Sequence, residues 1–220
     1  MHFNSSCNLE NFGVFHDILN QPFAYALYQR KNLSLHASAI EINNDGYLFI
    51  GLSGGGKSYI LSQLLDYGKC ISEDIVRISF HDGIPYIHPS HGLTKLNSLK
   101  HTKNDYFKFN SKLLFDTRNR SSFLIKNKYL SSKPVKLKAC FLLNFSNTFL
   151  INELNERQSF AALMQSSFKS NPLFSSKEND VAIDNLISDV INKTKFYILN
   201  RMKGDNISIE LIKFIKNNLK

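Results

Sequence analysis

Tyr47-Leu48-Phe49-Ile50-Gly51-Leu52-Ser53-Gly54-Gly55-Gly56-Lys57-Ser58 sets the frame for the whole chain. Its first four residues fit a short buried strand, and the remainder satisfies the spacing G-x-x-x-x-G-K-[ST] in full. Glycines let a backbone curl until its amide groups converge on an anion, and the dipole of a following helix favours negative charge there. Lys57 is placed to put its ammonium on the β- and γ-phosphates of a nucleotide, and the Ser58 hydroxyl to ligate Mg²⁺. A chance match in a chain of 220 residues has odds of roughly one in a hundred. The candidate phosphate contacts are Gly51, Ser53, Gly54, Gly55, Gly56, Lys57 and Ser58.

Two features flank this loop. Upstream, Leu33, Leu35, Ala37 and Ala39 alternate with His36, Ser38, Ile40 and Ile42, the period of a strand. Asn43-Asn44-Asp45-Gly46 is a turn signal. A four-residue turn there pairs Ile42 with Tyr47, Ile40 with Phe49, Ser38 with Gly51 and His36 with Ser53, bringing His36 alongside the loop. Downstream, 57–67 reads as a helix closed by Gly68 at C′, followed by a strand over 69–80 that contains Glu73 and Asp74. The C-terminal end of such a strand is expected beside the phosphate loop, where an acid can hold Mg²⁺ or take a hydroxyl proton. Adjacent strand residues point to opposite faces, so Glu73 and Asp74 are expected to have different tasks.

The remainder reads as one mixed α/β domain over 1–220. An N-terminal helix is expected at about 14–29, broken or restarted at Pro22, and the nucleotide-binding core at about 33–90. After His81-Asp82-Gly83 the chain turns back into Ile84-Pro85-Tyr86-Ile87. The stretch 92–134 shows no clear elements. The C-terminal part, about 139–220, reads as a strand over 137–145, a helix over 155–168, a helix over 181–191, a strand over 196–199 and a helix over 207–219. Tight hairpins among these elements exclude a purely parallel doubly wound sheet.

Composition narrows the class. Hydrophobic residues make up 43% and charged residues 20%, which is enough apolar matter for a packed core. No apolar run nears the ~20 residues that span a bilayer, and residues 1–9 lack a signal-peptide core. A cytoplasmic location and no membrane partner are expected. Cys7, Cys70 and Cys140 are too scattered for zinc or a disulfide framework, and Cys70 reads as a small buried residue. His88 and His91 lack further ligands for a metal site.

The net charge is +9, and its distribution is uneven. Twelve Lys and Arg lie in the basic middle segment, about 95–138, against Asp105 and Asp116 alone, so this window carries +10. Such a field attracts phosphates or an acidic peptide, and solvated lysine faces explain it equally well. Aromatics are interleaved, but with no RNA-binding motif nucleic acid is disfavoured as a partner.

Leu35-His36-Ala37-Ser38-Ala39-Ile40, the glycine loop, Gly68 and Ser72-Glu73-Asp74-Ile75-Val76 together resemble the HPr kinase/phosphorylase-like proteins, which are related to the phosphoenolpyruvate carboxykinases. The specific match spans about 24–90, with looser similarity at 137–143 and 159–163. The resemblance implies a P-loop fold of that type and ATP- and Mg²⁺-dependent phosphorylation of a serine hydroxyl. It makes Asp74 the general base, with Glu73 and His36 assisting and Ser58 and Glu73 on the metal. The family's acidic pair is usually two aspartates, so Glu73 is a departure that leaves open which acid handles the proton. An arginine near the transferred phosphoryl is also implied, with Arg118, Arg120 and their neighbours left open as candidates. About 35 residues precede His36, too few for the N-terminal domain of full-length HPr kinases. The chain is therefore similar to short stand-alone members such as lasso-peptide precursor kinases.

The expected activity is transfer of the γ-phosphoryl group to a serine of a peptide or small protein, an acidic one if the basic segment steers it. The alternatives are a metabolite kinase of the same fold and a non-catalytic nucleotide-sensing or RNA-binding module. A homo-oligomer is left open.

Overall fold

A computed structural model describes residues 12–96, 104–112, 120–170 and 176–219. β1 (Leu33–Ile42) and β2 (Asp45–Ile50) form an antiparallel hairpin with a tighter turn than the expected one. Ile42 faces Asp45, Ile40 faces Tyr47 and Ser38 faces Phe49. Asn43 and Asn44 have φ of 53° and 66°, the two left-handed positions of a two-residue turn, which asparagine tolerates well. The pairing is thus displaced by two residues, and a slip of two keeps each side chain on its own face. Leu33, Leu35, Ala37 and Ala39 accordingly join one core, and Ile40 and Ile42 the other.

β2 runs into the glycine loop (51–56) and α2 (Lys57–Leu64). The helix stops short of the expected end, and Gly68 is not among the left-handed glycines. Its small size answers a different demand: a Cβ at Gly68 would lie 2.1 Å from the Glu41 carbonyl oxygen on β1. β3 (Lys69–His81) then pairs antiparallel with β1, and a left-handed Asp82-Gly83 turn leads into β4 (Ile84–Ile87).

The second half adds β8 (Val135–Phe145), β9 (Leu150–Glu153) and β10 (Lys195–Arg201). The seven strands are ordered β2-β1-β3-β4-β8-β10-β9, and β2 also pairs with β8. β8 runs parallel to both β2 and β10, so the C-terminal ends of all three emerge on one side, around the glycine loop. β9 was not visible in the sequence pattern, since only a half-buried Ile151 interrupts its exposed residues.

Helices cover both faces. α1 (Phe12–Gln29) continues through Pro22, which is exposed, instead of breaking there. α3 (Glu156–Ser166) opens on a reciprocal cap: Gln158 N–H donates to Asn155 Oδ1 at 2.9 Å and Asn155 N–H to Gln158 Oε1 at 3.1 Å. α1, α3 and α4 (Lys177–Lys193) pack on the face bearing Leu35, Leu48 and Cys140. α2 and α5 (Ser208–Asn218) pack on the other, where Phe49, Phe141 and Tyr197 stack at centroid distances of 5.7 and 5.5 Å.

The segment that showed no clear elements contains a second sheet. β5 (Leu93–Leu96), β6 (Phe107–Lys112) and β7 (Ser121–Ile125) pair in the order β5-β7-β6 and bury Leu96, Phe107, Phe123 and Ile125 against the α2 face. Strands this short offer too few alternations to register as a period. Among the described residues, no helix is long and apolar enough to cross a membrane.

Candidate active site

Gly51, Gly54 and Gly56 have φ of 144°, 86° and 86°, so the loop adopts a path that L side chains resist. Lys57 opens α2 nearly buried, and its Nζ donates to the carbonyls of Gly51 at 3.0 Å and Leu52 at 3.2 Å. Those bonds close the loop on itself and hold the ammonium at its centre. Ser58 follows, its hydroxyl donating to Glu73 Oε1.

Register explains how β3 reaches the loop. Glu73 lies opposite Ser38, Asp74 opposite Ala37 and Ile75 opposite His36. The acids therefore sit within β3, paired antiparallel to β1, and not at the strand's C-terminal end as expected. Their presentation also differs from strict alternation. Asp74 has φ 62°, a conformation unfavourable by about 1 kcal/mol or more for a residue with a Cβ. Ala37, its ladder partner, belongs to the apolar core, yet the Asp74 carboxylate meets His36 on the other face, Nε2 to Oδ1 3.6 Å. The bend turns both acids toward one place.

Glu73 is 3% exposed. Burial, then the charge of Asp74, pushes its carboxyl up to about 8, against the lowering influence of the Ser58 and Ser38 hydroxyls and Lys57. Ser38 is close enough to exert that influence, yet neither its Oγ nor Glu73 Oε2 meets hydrogen-bond geometry. A buried carboxylate oxygen without a partner is an incomplete site. Asp74 is better supplied: Lys95 Nζ lies 3.3 Å from Oδ2, and Asn20 Nδ2 donates weakly to the same oxygen at 3.4 Å. His36 stacks on Phe168, centroids 6.4 Å apart.

On the opposite side of the loop stands Arg201, at the end of β10 and only 1% exposed. Its Nη2 donates to the Gly55 carbonyl at 2.9 Å and its Nη1 to that of Met202 at 3.3 Å. Burial lowers its pKa. A Cβ at Gly56 would lie 2.1 Å from Nη2, so this guanidinium and the loop share a space only glycine leaves open. Because carbonyl and amide of one peptide unit point in opposite directions, Arg201 on the Gly55 oxygen fixes the direction of the next N–H.

His36, Lys57, Ser58, Asp74, Lys95 and Arg201 line one cleft of about 790 Å³, the size of a small-molecule site. Lys57, Lys95, Arg120, Arg201 and Lys203 bring positive charge to its wall, and Asp74 opposes them. An anion is what such a wall attracts. No group of three or more His, Cys, Asp or Glu among the described residues could hold a metal ion. A divalent cation here would depend on Ser58, Glu73 and ligand oxygens, the usual situation of Mg²⁺ on a nucleotide.

No protein-family model matches the chain, and no curated protein does. The Hpr(Ser) kinase/phosphatase from Coxiella burnetii matches with a TM-score of 0.41 and 10% identity, over 84% of this chain and 94% of that one. The cleft's own side chains therefore carry its chemistry.

Of the residues singled out in the sequence, Ser53, Gly54, Gly56, Lys57, Ser58, His36 and Asp74 line the cleft. Gly51, Gly55 and Glu73 support it from behind through Lys57, Arg201 and Ser58. Arg120 lines it too, whereas Arg118, Lys100 and Lys103 lie outside the described residues. Lys95, Arg201, Asn20 and Phe168 were missed. Lys95 was visible only as one of the basic residues of 95–138, and the other three carried no local signal. His88 and His91 serve locally, with Ser79 Oγ 2.6 Å from His88 Nε2 and Leu93 N–H donating to His91 Nδ1 at 3.1 Å. Cys70 and Cys140 are buried thiols.

Proposed function

We propose that the chain is an ATP-dependent kinase of the HPr kinase/PEP carboxykinase type, transferring the γ-phosphoryl group to a serine hydroxyl of a peptide or small protein. The observation that carries this reading is the meeting of Lys57, Ser58 and the Asp74–His36–Lys95 group in one cleft, with Glu73 behind Ser58. A binding module needs the loop and its lysine; it does not need a strained aspartate held between an imidazole and an ammonium.

Lys57 and the loop amides bind the triphosphate tail. Ser58 and Glu73 would hold Mg²⁺, which would supply charge neutralisation to the phosphates. Asp74 accepts the proton of the attacking hydroxyl at a carboxylate oxygen, and His36 and Asn20 hold that carboxylate in place. The serine oxygen bonds to the γ-phosphorus as the bond to the β–γ bridging oxygen breaks, and ADP leaves with that electron pair. Lys57 and Lys95 stabilise the charge that builds on the transferring group and the leaving oxygen. An acidic acceptor suits the basic wall, in a cytoplasmic setting.

The test uses γ-³²P-ATP with the purified protein and an extract of its source cells. Label on a peptide or protein serine is expected, and label on a small molecule alone rejects the peptide acceptor in favour of a metabolite kinase. Asp74→Asn retains ATP but loses transfer; Lys57→Ala loses both. Unchanged cellular function of Asp74→Asn with ATP binding intact would leave a nucleotide sensor in place of an enzyme.

A further inference from the structure

We infer that the exposed ring of Phe145 is the seat of the nucleobase, an inference that rests on the nucleotide reading above and gives the bound triphosphate its direction. The sheet order supplies the first step. β2 carries the glycine loop at its end and pairs with β1 on one edge and β8 on the other. His36, Glu73 and Asp74 stand on β1 and β3 to one side, while Phe145 and Arg201 end β8 and β10 on the other. The acids mark the end where a phosphoryl group is transferred, so the nucleoside end extends the opposite way, toward β8 and β10.

That end of the cleft is built differently. Its wall comprises Tyr59, Phe145, Arg201, Lys203 and Gly204 and contains no carboxylate. Tyr59 Oη donates to the Gly204 carbonyl at 2.8 Å, which ties α2 to the turn after β10 and fixes this wall. Phe145 faces Arg201 across the parallel ladder, and the guanidinium carbon sits 4.8 Å from the ring centroid. One face of the ring is thereby held by a buried cation, yet the residue lines the cleft and remains 42% exposed. The ring of Phe145 thus adds a flat apolar surface to an otherwise cationic wall of the cleft. A nucleobase offers a matching surface, and stacking on an aromatic ring is worth roughly five- to a hundredfold in affinity.

The experiment compares ATP with inorganic tripolyphosphate, each with Mg²⁺, by calorimetric titration of the wild type, Phe145→Ala and Phe145→Tyr. Tripolyphosphate reports the loop alone. Wild type is expected to bind ATP about tenfold or more tightly than tripolyphosphate, the order of one stack. Phe145→Ala is expected to lose about that factor for ATP while binding tripolyphosphate within about twofold of wild type, and Phe145→Tyr to restore ATP. If Phe145→Ala leaves ATP affinity unchanged, or weakens both ligands alike, the seat is overturned while the nucleotide reading stands. If wild type binds neither ligand, both readings fall.

Discussion

Two residues of the cleft hold conformations or charges that their surroundings must support. Gly56 combines φ 86° with the Arg201 guanidinium where a side chain would begin. Gly56→Ala is therefore expected to weaken ATP binding by at least about tenfold and to cost about 1–3 kcal/mol of stability, read by calorimetry and thermal melting. Glu73 makes stability depend on pH. Its carboxyl is pushed up to about 8 in the folded protein against 4.5 for an ordinary glutamate, so between those values the folded state holds a proton that the unfolded state has released. Stability then falls as pH rises from about 4.5 to about 8 and levels off above. Glu73→Gln removes the dependence: the unliganded variant is expected to melt higher than wild type at about pH 9 and within a degree or two of it near pH 5. A parallel fall in both proteins would show that Glu73 is not the group responsible.

Elements determine which of these residues meet. β5 belongs to the second sheet, and through Lys95 it places an ammonium, 9% exposed, against Asp74 of β3. Lys95→Met is expected to lower ATP turnover by at least about tenfold with ATP affinity changed by less than about threefold, and Lys95→Arg to retain most activity. Equal losses in turnover and binding would instead make Lys95 a phosphate anchor. The hairpin of β1 and β2 gives a test of local structure. Its turn requires left-handed backbone at Asn43 and Asn44, so Asn44→Gly is expected to leave the melting temperature equal or higher, whereas Asn44→Val costs about 1–2 kcal/mol. The same hairpin shows why part of the site was legible. Glycine spacing, an Asn-Asn turn and alternating β1 residues are local signals, and a two-residue error in register left His36 on its face. Gly68 was read as the C′ residue of the helix, whereas its small size answers a contact with Glu41, which is a tertiary fact.

At the scale of the molecule, the cleft forms where the ends of parallel strands, an antiparallel strand with a left-handed kink, α1 and the second sheet converge. A lone lysine such as Lys95, a strand-terminal Arg201 or Phe145 carries no local signature, because its role depends on which strands become neighbours. The loop itself depends on short-range backbone chemistry and could be read directly. The basic stretch behaves in an intermediate way: Lys95 and Arg120 reach the cleft, while Lys138 pairs with Asp45 at 3.7 Å and Lys108 donates to Asn127 Oδ1 at 3.0 Å. Its charge is shared between site and surface.

A crystal structure of the protein with Mg²⁺ and a non-hydrolysable ATP analogue tests the central claim most directly. The account predicts the triphosphate seated on the glycine loop at Lys57, its γ-phosphate nearest Asp74 and the metal touching Ser58 and Glu73. A triphosphate bound elsewhere, or one lying in reverse with its base beside Asp74 and its γ-phosphate toward Arg201, would contradict it.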